Sequence, residues 1–393
     1  MAAREIQNKV YSVGAIDWDR TIFDALVPLP HGTSYNAYLV LGSEKNALID
    51  TVEPVKKDEL RRNLKQSGVQ KIDYIIANHA EQDHSGAIPD VLEWYPEAKV
   101  VTNKKCKTFL QDLMDIPDEK FLVIQDKEVL SLGDRTLEFY FTPWVHWPET
   151  MVTYLREEKI LFSCDFFGSH VACGDLFVKD RNLVALEAKR YYAEIMMPFA
   201  KTIRKHLQLV DGLDVKMIAP SHGPVYDDPK FIIEAYREWV SDRVKNEAII
   251  LFVTMHGSTE QMAYRLTDEL LTRGVDVRLF NLLNADIGEI AAALVDAATV
   301  VLASPAVLNG AHPGAIYLAY LMNQLKPKTR FVGILGSFGW GNKMVEHLQG
   351  NLSSVKAEIL PPVLSKGHPR EDTWQAIREL ADTIARKHQE MEK

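Results

Sequence analysis

From Asn246 onward the chain alternates apolar runs with amphipathic stretches: EAIILFVT, a helix from Thr259, VDVRLF, a helix from Ile287, ATVVLAS, a helix from Ala315, RFVGILGS, a helix from Asn342, AEIL and a last helix. Strands that are apolar along their whole length need cover on both faces, and a helix between successive strands returns the chain parallel to itself. This half is therefore expected to form a doubly wound parallel sheet. Residues before 246 follow another rhythm. VYSVGAI, YNAYLVLG, NALID, DYIIANH, TLEFYFT, MVTYLRE and ILFSCD are short strands parted by turn residues. Helical periodicity marks 56–66, 88–95, 104–114 and a longer stretch at 183–210. VKMIAPSHGP follows as a strand ending in a polar loop, and FIIEAYREWVSDRV as a closing helix. Sheets with helices outside them predict a layered αββα sandwich. Two such patterns in 393 residues suit two domains. The short charged seam at 245–248 divides them into 1–247 and 248–393.

A net charge of −9, with Lys and Arg scattered among acids, argues against a nucleic-acid surface. No apolar run of 18 residues exists to span a bilayer. The first residues, MAAREIQNKVYSVG, lack the features of a secretory signal, which points to the cytoplasm. Cys106, Cys164 and Cys173 are odd in number and lack CxxC spacing, so they build neither a disulfide framework nor a four-thiolate iron site. Any metal must be held by His and carboxylates.

HAEQDHSG directly follows the strand DYIIANH and packs His79, Glu81, Asp83 and His84 into six positions. His146 in TPWVHWPET, Asp165 at the end of ILFSCD and His222 in APSHGP each follow a strand, so sheet ends can bring them to the same place. One such histidine alone would be read as a satisfied surface or buried residue; four ligand-type residues in six positions would not. The string resembles the HxHxDH signature of the metallo-β-lactamase superfamily, with Glu81 in place of the second His. A hard carboxylate for an imidazole favours iron or manganese and lowers the metal's oxidation potential.

Three loops sit at the carboxyl edge of the second sheet, where ligands of open α/β sheets bind. FVTMHGSTE offers Thr254, Met255, His256, Gly257, Ser258 and Thr259 to a phosphate at a helix start. The plainer reading is a helix capped by Ser258 or Thr259. SPAVLNGAHPG contributes Ser304, Pro305, Ala306, Leu308, Asn309 and Gly310, and GSFGWGN contributes Gly336, Ser337, Phe338, Gly339, Trp340 and Gly341. Trp340 is a candidate to lie on a flavin ring, with a buried core Trp as the alternative. GxGxxG is absent, which fits FMN better than a dinucleotide. The first loop resembles the flavodoxin phosphate loop, with His256 where a hydroxyl or an aromatic residue is usual.

HxExDH together with these loops resembles the flavodiiron protein family, also called A-type flavoproteins or rubredoxin:oxygen oxidoreductases, over essentially the whole chain. The resemblance implies a metallo-β-lactamase-like domain followed by a flavodoxin-like domain. It implies that His79, Glu81 and His146 bind one iron, that Asp83, His84 and His222 bind the other, and that Asp165 bridges them. It implies reduction of O2 to water, of NO to N2O, or both, with electrons passed through FMN from a separate carrier such as rubredoxin. It also implies a head-to-tail homodimer or a dimer of dimers. Tyr191 and His170 fall in stretches that border the iron pocket in the family and are candidate proton donors. Asp24 stands where relatives often carry His. The alternatives are a zinc-dependent hydrolase with an accessory flavodoxin-like domain, and an electron-transfer flavoprotein whose metal site is vestigial.

Overall fold

The computed structural model describes residues 3–341 and 343–391, and the chain divides into two compact units. One comprises Met1–Tyr192 and Phe199–Val240, the other Ala193–Pro198 and Ser241–Lys393.

The first unit holds two sheets. Seven strands run in the order Arg4–Gln7, Val10–Ser12, Tyr38–Leu41, Asn46–Ile49, Tyr74–Ile76, Lys99–Asn103 and Phe121–Ile124. Five more run Val129–Ser131, Thr136–Phe141, Met151–Leu155, Ile160–Cys164 and Met217–Pro220. Side chains alternate between strand faces, and the cores follow that alternation. Leu39, Leu48, Ile75 and Val100 pack on one face with Leu60, Leu64, Ile88, Val91 and Leu110 from helices. Their neighbours Val40, Ile49, Ile76 and Val101 pack on the other with Leu137, Phe139, Leu155 and Phe162 of the second sheet. The result is the expected αββα sandwich.

Parallel pairing decides where the chemistry collects. Asn46–Ile49, Tyr74–Ile76 and Lys99–Asn103 pair in parallel, so their carboxyl ends share one edge. Ile160–Cys164 and Met217–Pro220 do the same in the second sheet.

The long helix expected at 183–210 is broken. Arg181–Tyr191 is α-helical, Tyr192–Met196 widens to a π turn, Met197–Phe199 tightens to 3-10, and Ala200–Asp211 resumes. Pro198 lacks an N–H and clashes with the preceding turn, so the ladder cannot run through it.

The second unit is a parallel sheet ordered Asp276–Asn281, Lys245–Phe252, Ala297–Val307, Phe331–Phe338 and then Glu358–Ile359 with Val363–Lys366. Its first strand is internal, second in that order, with Asp276–Asn281 on one side and the later strands on the other. One face buries Ile250, Val301 and Leu335 under Met262, Leu266, Ile377 and Ile384. Val363–Lys366, in a stretch read only as leading to the last helix, is a strand because it carries the sheet's next rung. The helix expected from Asn342, a residue outside those described, spans Met344–Gly350.

Candidate functional site

Four strand exits converge in the first unit. Asp50 follows Ile49, His79 follows Ile76 by three residues, Asp165 follows Cys164, and His222 follows Pro220 by two. Asp50 accepts from the Asn78 backbone N–H at 2.8 Å and from its side chain at 2.9 Å, while Thr153 donates to Asn78 at 2.7 Å. This buried network fixes the chain just before His79. Gln82–Ser85 is a single helical turn, and its N-cap Glu81 makes no side-chain cap bond, so the carboxylate is free for the site. The backbone and hydroxyl of Thr51 both donate to the His84 carbonyl at 2.7 Å. Gly223 has φ +82°, and a Cβ there would lie 2.2 Å from Ser169 Oγ, so only glycine lets the chain turn directly after His222.

The seven expected ligands form one cluster around Asp165. Asp165 Oδ2 lies 3.5 Å from His79 Nε2 and 3.4 Å from His146 Nε2, and both imidazoles reach Glu81 Oε2, at 3.1 and 3.2 Å. Asp165 Oδ1 lies 3.0 Å from His84 Nε2 and 3.5 Å from His222 Nε2; these meet Asp83 at 3.2 and 3.1 Å. Two donor groups thus share one carboxylate.

The electrostatics call for positive charge at both groups. Burial opposes a proton on His79, yet hydrogen bonds to Glu149 and Glu81 raise its pKa to about 10. His146 is pushed up to about 9 against its burial by Asp165 and Glu81, and His84 is raised well above its usual value, chiefly by the charges of Asp165 and Asp83. Burial alone would raise Glu81 and Asp165; the surrounding imidazoles hold both well below the usual carboxylate range. Asp83 Oδ1 and Asp165 Oδ2 are buried without a hydrogen-bond donor. Nitrogen and carboxylate donors in two groups, each with atoms within 4.8 Å of one another, fit a pair of divalent cations.

Tyr191 donates to Asp165 Oδ1 at 2.6 Å. Burial and then the Asp165 charge raise its pKa well above the usual value, so it keeps its proton. His170 touches none of the carboxylates; its ring centroid lies 4.8 Å from those of His222 and Tyr191, and Nδ1 is 2.8 Å from Thr33 Oγ1. Burial, then the His222 charge, lowers its pKa well below the usual value, so it is neutral. Asp24 is exposed on the three-residue turn between Ile22–Phe23 and Val27–Pro28. Its pKa is raised by partial burial and by the charges of Glu81 and Asp83.

In the second unit the three loops are tied together. Thr259 Oγ1 meets Ser337 Oγ at 3.0 Å, and the Lys343 N–H donates to the Asn309 carbonyl at 2.9 Å. The helix Ser258–Leu271 is capped by Gly257 at φ +83°, with no side-chain cap bond. The alternative reading, a cap by Ser258 or Thr259, is not met: Thr259 is engaged by Ser337, and Thr254 Oγ1 takes the Gly257 N–H. The first-turn N–H groups lack a side-chain cap, which suits an anion. Ser304 Oγ accepts from the His312 N–H at 2.9 Å, and Leu308 and Asn309, both at positive φ, make the tip of the second loop. Trp340 is 82% exposed and Leu308 91%, so Trp340 is no core residue. Met255 and His256 are also exposed.

Residues 33–223 match the family model described as ODP family beta lactamase, and residues 250–379 match that of flavodoxin. A nitric oxide reductase of Moorella thermoacetica is 37% identical, over 97% of each chain. The solved rubredoxin oxygen:oxidoreductase of Desulfovibrio gigas is 31% identical, with a TM-score of 0.95 over 99% of each chain. The flavodiiron protein of Giardia intestinalis is 27% identical, with a TM-score of 0.93 over 100% of this chain and 98% of that one. The chain belongs to the flavodiiron protein family. As a flavodiiron protein it is an oxidoreductase, and the zinc-hydrolase alternative is set aside.

Sequence reasoning missed two features of this cluster. Glu149, 3% exposed, takes His79 Nδ1 on Oε1 at 2.7 Å. It lies three residues past His146 in TPWVHWPET, so a carboxylate in a ligand loop was the available signal. Ser34 accepts from His222 Nδ1 through its backbone carbonyl at 2.7 Å, and a carbonyl leaves no trace in residue type.

Among the described residues, no helix is long and apolar enough to cross a membrane.

Proposed function

We propose that this flavodiiron protein reduces O2 to water, NO to N2O, or both, at a two-iron centre, with electrons passed through FMN from a separate small carrier such as rubredoxin. One observation carries the reading: Asp165 turns one oxygen to each of two donor groups. His79, Glu81 and His146 would hold one iron and Asp83, His84 and His222 the other, with Asp165 between them. Glu81 favours iron over zinc for the reason given above. When bound, two ferrous ions and a reduced flavin together supply four electrons, enough for one O2, while two NO need two.

The chain's own residues supply protons and placement. Tyr191, protonated and hydrogen-bonded to Asp165, is the proton donor nearest the centre, and neutral His170 stands behind it against His222. In the second domain Thr254 to Thr259 would take the FMN phosphate, Ser304 to Gly310 the ring edge, and Trp340 a ring face. The domains of this reading are 1–247 for the metals and 248–393 for the flavin. Exposed Trp340 and Leu308 beside the flavin loops support a covering partner, which we take to be a second copy in a head-to-tail homodimer. Among the described residues the three cysteines are unpaired, in keeping with a cytoplasmic setting.

The test is anaerobic reduction followed by separate O2 and NO consumption assays, with metal and flavin analysis and with Glu81→His and Asp165→Ala as controls. Turnover should be lost in both variants. Two zinc ions and no yellow colour in the purified protein would sink the proposal.

A further inference from the structure

The two halves of the metal cluster have different outer partners. Behind His79 stands the buried carboxylate of Glu149, whose Oε1 takes His79 Nδ1 at 2.7 Å and the Ala80 N–H at 3.2 Å. Its Oε2 has no hydrogen-bond partner, and the Asn103 side chain anchors its backbone carbonyl at 2.6 Å. Behind His222 stands the neutral carbonyl of Ser34. Both outer acceptors leave Nε2 as the free lone pair, but an anionic acceptor makes that lone pair more basic than a neutral one does. Asp165 adds a second inequality. Tyr191 donates to Oδ1, the oxygen facing His84 and His222, and so withdraws electron density from that side; Oδ2, facing His79 and His146, has no hydrogen-bond donor.

Both differences act in the same direction. Resting on the metal-centre reading above, we propose that Glu149 is a positioning residue that makes the His79–Glu81–His146 half the tighter of the two iron sites. That half fills first and empties last, and it does so because Glu149 carries a charge as well as a hydrogen bond. Glu149→Gln separates the two contributions: its amide oxygen still accepts from His79 and Ala80 in the same volume, while the charge is gone.

The experiment is anaerobic titration of metal-free protein with ferrous iron in competition with a chromophoric chelator, on the wild type, Glu149→Gln, Glu81→Gln and Asp83→Asn. Circular dichroism of the metal-free variants checks the fold. The wild type should show two classes of site. Glu81→Gln should weaken the tight class, and Asp83→Asn the weak one. Glu149→Gln should weaken the tight class by about 10- to 100-fold and leave the other within about twofold. With cobalt(II) as the probe, the visible bands of the first equivalent alone should shift in Glu149→Gln. Equal classes in the wild type, or equal losses or none in Glu149→Gln, overturn this inference while leaving the two-metal centre standing. A wild type that binds no iron overturns that centre and this inference with it.

Discussion

His388 makes the flavodoxin-like domain acid-sensitive, independently of any metal. The ring is buried on the last helix, between Asn246 of the first strand in the domain's sheet and Thr299 of its neighbour. Asn246 Nδ2 donates to the Gly274 carbonyl at 2.9 Å, so its Oδ1 faces His388 and takes the Nδ1 proton at 2.8 Å. Nε2 then accepts from the Thr299 hydroxyl at 2.7 Å, and the neutral ring is satisfied on both sides. Burial lowers the pKa from 6.5 to about 4. A depressed histidine stabilises the fold fully above its unfolded pKa, and the gain is lost as pH falls from 6.5 toward 4. From those two values, pH 5 costs about 2 kcal/mol, or about thirtyfold in the opening equilibrium. His388 lies within a turn of the helix end, and solvent screening there trims the expectation to about 1 kcal/mol, or about fivefold. Hydrogen exchange of the strands Lys245–Phe252 and Ala297–Val307, corrected for intrinsic rates at pH 7 and pH 5, measures it directly. His388→Gln should remove the pH dependence, since a neutral amide can both donate and accept. Equal pH dependence in wild type and His388→Gln would refute the argument.

Three further outcomes follow from other contacts. If Tyr191 donates protons as proposed, Tyr191→Phe, which removes the hydroxyl bonded to Asp165, should lower turnover by about 100-fold with iron content unchanged, as read by steady-state assay beside metal analysis. Trp340→Ala should raise the FMN dissociation constant by about fivefold to tenfold in a fluorescence titration, because an exposed indole has no other structural work to do; an unchanged constant would remove Trp340 from the flavin site. Asn78→Ala keeps the backbone N–H to buried Asp50 but removes the side-chain bonds to Asp50 Oδ2 and from Thr153, and should cost about 3 kcal/mol in denaturant unfolding, against less than about 1 kcal/mol if that network is incidental.

What the sequence disclosed, and what it hid, divides along physical lines. Continuous apolar runs such as EAIILFVT are legible because a parallel strand buried on both faces leaves few other sequences open to it. Metal-type residues are legible because His79, Glu81, Asp83 and His84 have little reason to crowd six positions otherwise. The break between Arg181–Tyr191 and Ala200–Asp211 was hidden, since a helical period passes smoothly over 192–199 and only Pro198 signals the interruption. The Gly257 cap was hidden because Ser258 and Thr259 are good caps by type, and only the tie from Thr259 to Ser337, 78 residues away, removes one of them. Outer partners were hidden in proportion to how little of them is side chain: Glu149 could have been suspected, the Ser34 carbonyl could not.

Charge balance ties the centre's parts together. Glu81, Asp83, Asp165 and Glu149 are four carboxylates in or against one buried cluster, and two divalent cations would neutralise them in full. Without metal the same carboxylates raise the pKa of His79, His84 and His146, so imidazolium protons do the work that cations would otherwise do. Metal and protons therefore compete for the same three rings, and loading must release protons. This exchange explains how so acidic a cluster can be buried without metal, with the polar shell of Asp50, Asn78, Thr51 and Thr153 holding the backbone. It also gives Glu149 a second consequence. A carboxylate that favours a cation at His79 favours a proton there as well, so Glu149→Gln should lessen the loss of metal affinity that acidification brings to the His79 half.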